Sequence, residues 1–270
     1  MIKSSIELAK NIRKHSLEMV VRSRASHIAS ALSMTDILAV LYFDLMNVFP
    51  NDFKNENRDI FILSKGHACV ALYATLGLKG FFDLNDLQTY GLDGSDFMNH
   101  ISHKVPGVEF STGSLGHGLP FATGIALGKK IKKHHNKIFV LVGDGELDEG
   151  SNWEALLFAS HHQLDNLTIV VDYNNLQSLT TVKDTLNLEP LSNKFEAFGC
   201  NVRQVNGHNH LELKNTFIES INNFNGKPSV IIANTIKGKG VSYMENKVKW
   251  HYSTPNQEEL IQALNEIDNA

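Results

Sequence analysis

Apolar side chains recur at helical spacing over residues 5–24 and again over 34–46 (MTDILAVLYFDLM), and the pattern predicts two amphipathic helices at the start of the chain. Ser33 or Thr35 is placed to cap the second. Residues 47–57 are polar and hold Pro50, which reads as a loop, and the apolar run at 60–63 (IFIL) reads as a short strand. SKGH follows, then ACVALYATLGL, a helix ending at Lys79–Gly80. Over residues 90–118 the periodicity gives way to a stretch rich in Gly, Ser and His, with Gly113, Gly116 and Gly118 near His100, His103 and His117. A loop of that length inside a folded domain is usually functional.

A helical pattern resumes at 119–133, and the chain then alternates. Apolar strands are predicted at 137–142 (KIFVLV), 166–172 (NLTIVVD), 201–205 and 228–234 (PSVIIAN), and helices at 151–163, 194–198, 211–223 and 257–270. Continuous apolar strands separated by helices predict an α/β fold, a mostly parallel sheet flanked by helices on both faces. The chain shows no internal repeat and no Pro/Gly linker, so residues 1–270 read as a single domain.

Composition narrows the function classes. Apolar residues make up 42 % of the chain, enough for a large core, and charged residues 20 %, which does not fit a disordered chain. The balance of 25 Lys and Arg against 29 Asp and Glu leaves a charge of −4, which argues against a general nucleic-acid binder. No continuous apolar stretch approaches the ~18 residues that span a bilayer, and the N-terminus lacks the apolar segment of a signal peptide. Cys69 and Cys200 form no CxxC pair, so a thiolate zinc site is not expected. The expectation is a soluble cytoplasmic protein with reduced thiols and neither membrane nor nucleic-acid partners.

The most informative segment is VLVGDGELDEGSNWEALLFASHHQLDNLTIVVDYNN. One predicted strand ends in Gly143-Asp144-Gly145 and the next in Asp172-Tyr173-Asn174-Asn175. A strand–helix–strand crossover between them returns the chain parallel, so Asp144 and Asn174 fall at the same, carboxyl edge of the sheet. Ligands bind at that edge in open α/β sheets. A carboxylate and an amide oxygen are hard ligands suited to Mg²⁺ or Ca²⁺, and the bare Gly145 lets backbone N–H groups approach an anion. A divalent cation beside exposed amides is a diphosphate cradle. An isolated GDG would be only a tight turn after a strand; the Asn pair at crossover spacing gives the metal reading its weight.

GDG followed at this interval by an Asn pair resembles the thiamine diphosphate fingerprint. In detail the chain resembles transketolase, specifically its N-terminal, diphosphate-binding (PP-type) half. LSKGHACVALYA at 63–74, PGVEFSTGSLGHGLPFATGIALG at 106–128, GDGELDEGSNWEA at 143–155 and IKGKGVSYMENKVKWH at 236–251 carry the likeness in order.

The resemblance implies roles for particular residues. Mg²⁺ (or Ca²⁺) would be held by Asp144, Asn174 and the main-chain carbonyl of Leu176, with Gly143 and Gly145 at the diphosphate. His67 and His251 would contact the diphosphate or the reacting end of the sugar. Gly113 would accept from the aminopyrimidine and Leu115 would pack near the thiazolium. His27 and His100 would face the substrate, although Ser26 and Ile101 beside them depart from the family pattern. Glu149 and Glu154 join the cofactor-binding set as acids near the family's subunit interface; a solvated helix start would also explain them. Four histidines suit a site that moves protons near neutral pH. His134, His135, His161 and His162 read as basic helix ends, and His208 and His210 as structural or solvent-facing residues of a turn.

The implied activity is transfer of a two-carbon ketol unit from a ketose phosphate to an aldose phosphate. In the family the glutamate that protonates the cofactor's pyrimidine ring lies in a following pyrimidine-binding domain, which these 270 residues do not contain. The expectation is therefore a separate C-terminal-half subunit, an α2β2 heterotetramer, and a site completed at the interface. Two alternatives stand beside this reading. One is another thiamine diphosphate reaction, of the deoxyxylulose-phosphate synthase type or in polysaccharide or natural-product biosynthesis. The other is a non-catalytic, cofactor-binding scaffold.

Overall fold

Five strands, Ile60–Leu63 (β1), Ile138–Gly143 (β2), Leu167–Tyr173 (β3), Asn201–Asn206 (β4) and Ser229–Asn234 (β5), form one sheet in the computed structural model, which describes residues 2–269. The order is β1-β2-β3-β5-β4 and every neighbouring pair is parallel. β2, β3 and β5 are buried almost end to end, which is why each reads as an unbroken apolar run.

Alternate side chains of each strand enter different layers. Phe61, Leu63, Phe139, Leu141, Val170 and Ile231 join one core cluster, and Ile60, Ile62, Val140, Val142, Ile169 and Ile232 the other. The first layer is closed by helices α1 (Ser5–Ser23), α2 (Ile28–Ser33), α3 (Thr35–Val40), α4 (Cys69–Leu78), α9 (His210–Ile221) and α10 (Gln257–Asp268). The second is closed by α5 (Gly118–Ile131), α6 (Gly150–His161), the short α7 (Val182–Thr185) and α8 (Leu191–Ala197). Phe217 of α9 meets Phe139 of β2 edge to face, ring centroids 6.0 Å apart, with both rings buried. Truncating such a ring costs about 3–5 kcal/mol.

The N-terminal helices differ from the pattern reading. A separate helix, α2, covers residues 28–33, and the span expected as one helix from 34 to 46 is α3 followed by a π-helical turn, Leu41–Leu45. Every residue of α2 is buried, so it lacks the polar face from which helical periodicity is read. Neither Ser33 nor Thr35 caps α3: its N-cap is Met34, the Ser33 hydroxyl donates to the Ser30 carbonyl and to Asp172, and Thr35 donates to the Ala31 carbonyl. Among the described residues no helix is long and apolar enough to cross a membrane.

Register brings several carboxyl ends to one edge. Leu63 pairs with Leu141, Gly143 with Asp172, and Tyr173 with Asn234. The segments that leave β1, β2, β3 and β5 there carry Lys65, Asp144, Asn174 and Lys237.

Candidate active site

The loops at this edge enclose a cavity of about 280 Å³. It is lined by His27, His67, His100 and His251, by Gly113 and Leu115, and by Gly143, Asp144, Gly145, Asn174 and Leu176. Eleven of the residues singled out from sequence, drawn from segments far apart in the chain, therefore share one cavity. Glu149 and Glu154 do not: both are exposed, Glu149 capping the start of α6 and Glu154 in its first turns, and neither lines the cavity.

Asp144 closes β2. Its Oδ2 accepts the N–H groups of Asn174 (2.9 Å) and Asn175 (2.6 Å), and its Oδ1 that of Gly145 (2.8 Å). These bonds tie the tips of β2 and β3 together. Burial, reinforced by the neighbouring Asp172 carboxylate, pushes Asp144 up to about 6. Asn174 uses its amide nitrogen on Asp172 (3.3 Å) and its Oδ1 on the Leu176 N–H (3.2 Å). A Cβ on Gly145 would stand 2.8 Å from the Gln177 side chain, which would have to shift to admit it.

Several charged members of the site were not singled out from sequence. Lys65 is buried, paired with Asp172, and donates to the Ser30 carbonyl at 2.8 Å. Burial opposes a charged Asp172, but Lys65 and the hydroxyls of Ser33 and Thr235 outweigh it and hold the group below its ordinary value. Glu146, pushed up by burial, accepts from Ser64 and from the N–H groups of Gly116 (2.9 Å) and Gly143 (3.2 Å), which fastens the 113–117 loop to the end of β2. Lys237, 1 % exposed, donates to the carbonyls of Leu176 (2.9 Å) and Gln177 (3.0 Å) and lies 3.0 Å from Nδ1 of His251. Burial and the like charge of Lys65 bring it down to about 8. Lys65 and Lys237 sit in glycine-rich motifs, SKGH and IKGKG, and a lysine beside glycine in two motifs of one site is the signal that would have flagged them.

The four histidines form a cluster. Ring centroids of His27 lie 5.1 Å from His67, 5.8 Å from His100 and 5.0 Å from His251. The His27 N–H donates to the His251 carbonyl at 2.8 Å, joining the start of α2 to the segment after β5. His27 has φ 69°, a left-handed conformation uncommon outside glycine and characteristic of sites where the chain is held by its surroundings. Burial, then like charges, lowers His27 to about 4 and His251 to about 3; burial lowers His67 well below its ordinary value and also lowers His100. At neutral pH these are neutral imidazoles, each with one donor and one acceptor nitrogen.

The oxygen donors fit a hard cation. Asp144 offers a carboxylate, Asn174 an amide oxygen and Leu176 and Gln177 main-chain carbonyls, the donor types that hard cations take. A cationic group already occupies this corner: the Lys237 ammonium bonds the Leu176 and Gln177 carbonyls beside the buried Asp144.

Of the two readings open for the turn residues His208 and His210, the structure shows the structural one. Their side chains are only 12 % and 15 % exposed, and both hydrogen-bond Asp36 of α3. The turn packs against α1 and α3, which turns the rings inward.

A parallel sheet whose carboxyl edge presents Asp144 and Asn174 beside two buried lysines is an open α/β fold with its site at the strand ends. Residues 4–267 match the family model described as transketolase, thiamine diphosphate binding domain. Among curated proteins the chain is 42 % identical to an apulose-4-phosphate transketolase subunit from Phocaeicola vulgatus, over 94 % of this chain and 90 % of that protein. It is 39 % identical to the 6-deoxy-6-sulfo-D-fructose transketolase subunit SqwG of a Clostridium species, over 96 % of this chain and 94 % of that one. Among solved structures, transketolase from Leishmania mexicana superposes with a TM-score of 0.93 at 28 % identity, over 99 % of this chain, and that from Campylobacter jejuni with 0.90 at 32 % identity, over 98 %. This chain spans 42 % of each of those two solved chains. The chain belongs to the transketolase family and carries its thiamine diphosphate binding domain.

Proposed function

We propose that the chain is the N-terminal subunit of a transketolase-like transferase. With a separate pyrimidine-domain subunit, in an α2β2 assembly, it moves a two-carbon ketol unit from a ketose phosphate to an aldose phosphate. The observation that carries this reading is the convergence of a hard oxygen donor set, two buried lysines and four neutral imidazoles on one cavity.

Asp144, Asn174 and the Leu176 carbonyl would hold Mg²⁺ (or Ca²⁺), and Lys237 would face the diphosphate with Gly145 beside it. When bound, thiamine diphosphate supplies a nucleophilic carbon and an electron sink for breaking the carbon–carbon bond next to a ketose carbonyl. His251 accepts from Lys237 at Nδ1, so as a neutral imidazole it carries its proton on Nε2, available as a donor. His67 packs against both His27 and His251, its ring centroid 5.1 and 5.7 Å from theirs, and lines the cavity. His100 is exposed and His27 half-buried, and as neutral imidazoles both are suited to hydrogen-bond sugar hydroxyls. Gly113 and Leu115 would border the cofactor's rings.

The test is ketol transfer by the purified chain, by itself and with its partner, with Mg²⁺ and thiamine diphosphate. The ketose panel includes apulose 4-phosphate and 6-deoxy-6-sulfo-D-fructose, after which relatives are named. Transfer only in the reconstituted pair is expected. Robust transfer by the chain without its partner would overturn the two-subunit reading, and cofactor binding without turnover in the pair would favour a scaffold.

A further inference from the structure

Away from the cavity, Asp36 on α3 is the hub of a buried ionic cluster. Arg13 of α1 donates Nη1 to Oδ1 (2.9 Å) and Nη2 to Oδ2 (2.6 Å). His208 Nδ1 lies 2.7 Å from Oδ2 and His210 Nε2 3.1 Å from Oδ1. Burial opposes the charge on Asp36, but Arg13 and the two imidazoles outweigh it and keep the group well below its ordinary value.

Two of these partners reach the segment that follows β5. His208 Nε2 accepts the Ile236 N–H at 2.8 Å, which fixes its proton on Nδ1, so the ring donates to Asp36. Arg13 Nε donates to the Lys239 carbonyl at 3.1 Å. Between these two anchors lies Lys237, whose ammonium reaches the Leu176 and Gln177 carbonyls and His251. The intervening Gly238 donates its N–H to the Ala29 carbonyl at 3.0 Å. One carboxylate thus orients two arms that grip the backbone on either side of a buried cation in the site.

We propose that Asp36, through His208 and Arg13, is a positioning residue that clamps residues 236–239 and holds the Lys237 ammonium in place for a diphosphate. This rests on the function proposed above. The Arg13–Asp36 pair at the hub is charge-assisted and buried, and the two bonds to the segment are part-buried.

The test has two readouts. Hydrogen exchange of residues 236–240 in the cofactor-free chain should quicken at least ~10-fold in Asp36→Asn. The same holds for His208→Asn, which retains a donor toward Asp36, loses the acceptor for Ile236 and leaves the Arg13–Asp36 pair intact should Asp36→Asn fail to fold. Calorimetric titration with thiamine diphosphate in excess Mg²⁺ should show affinity falling ~10-fold in both variants. In a Lys237→Met background the same substitutions should change it by less than ~2-fold, because the effect runs through Lys237. Unchanged exchange overturns the clamp. Faster exchange with unchanged affinity, or with effects that add in the Lys237→Met background, reduces the cluster to a structural role and overturns the proposal too. A wild-type chain that binds no thiamine diphosphate would instead register as failure of the proposed function, and the positioning role would fall with it.

Discussion

The ammonium of Lys237 lies 3.0 Å from Nδ1 of His251 while bonding the Leu176 and Gln177 carbonyls, so one buried cation links the second loop of the cradle to the histidine cluster. Burial and then Lys237 account for His251 standing at about 3. Because that value is below its ordinary 6.5, His251 contributes stability that is complete above about 6.5 and is lost as pH falls toward 3. Lys237→Met should raise the His251 value, read by NMR titration of the imidazole, and weaken thiamine diphosphate binding on the order of 10-fold. An unmoved His251 titration would contradict this link.

Asp144→Asn should separate binding from folding. The carboxylate is buried near Asp172 and pushed up to about 6, so a neutral amide relieves repulsion in the empty chain. The amide keeps only one of the two oxygens that accept the Gly145, Asn174 and Asn175 N–H groups, so the melting temperature should fall by a few degrees at most, while the stabilisation given by Mg²⁺ plus thiamine diphosphate should vanish, with affinity down on the order of 100-fold. A variant that melts early yet still responds to the cofactor would assign Asp144 a structural role only.

Metal binding should follow the titration of Asp144. Between pH 3.8 and about 6 the folded chain holds this proton more tightly than the unfolded chain does, and a cation must displace it. Apparent Mg²⁺ affinity, measured with saturating thiamine diphosphate, should therefore be level above about pH 6 and fall up to tenfold per pH unit below it. Affinity independent of pH down to about 4.5 would show that another group takes the metal.

Tyr252 forms part of the cavity wall, its ring centroid 4.7 Å from His251 and 5.7 Å from His27, with the side chain 57 % exposed. Among the described residues its hydroxyl has no hydrogen-bond partner. Under the proposed function, Tyr252→Ala should open the mouth and raise kcat/KM for six-carbon over five-carbon ketoses by roughly 10-fold. Tyr252→Phe should leave that ratio unchanged if the ring sets the size limit. A ratio unmoved by Tyr252→Ala would remove the residue from specificity.

Much of this architecture was legible because the strands are buried on both faces and announce themselves as apolar runs. Asp144 and Asn174 were legible because one crossover carries them to the same edge. Helix α2 was not, since a segment buried all round lacks the polar face that marks a helix, and the π-turn after α3 keeps the apolar spacing of the helix it continues. Nor were the roles of Lys65, Lys237 and Asp36. A lysine or aspartate acquires its partner only when distant segments meet, as Lys65 meets Asp172 and Asp36 meets Arg13, His208 and His210. His208 and His210, spaced about a glycine turn and an asparagine, look like surface residues until α1 and α3 close over them.

Manganese offers the sharpest test of the central claim. Crystals of the chain grown with Mn²⁺ and thiamine diphosphate should give a single strong anomalous peak roughly 2.0–2.6 Å from an Asp144 carboxylate oxygen, the Asn174 amide oxygen and the Leu176 carbonyl, with the diphosphate completing the shell. A peak away from these three oxygens, or cofactor bound with no metal between Asp144 and Asn174, would contradict the account.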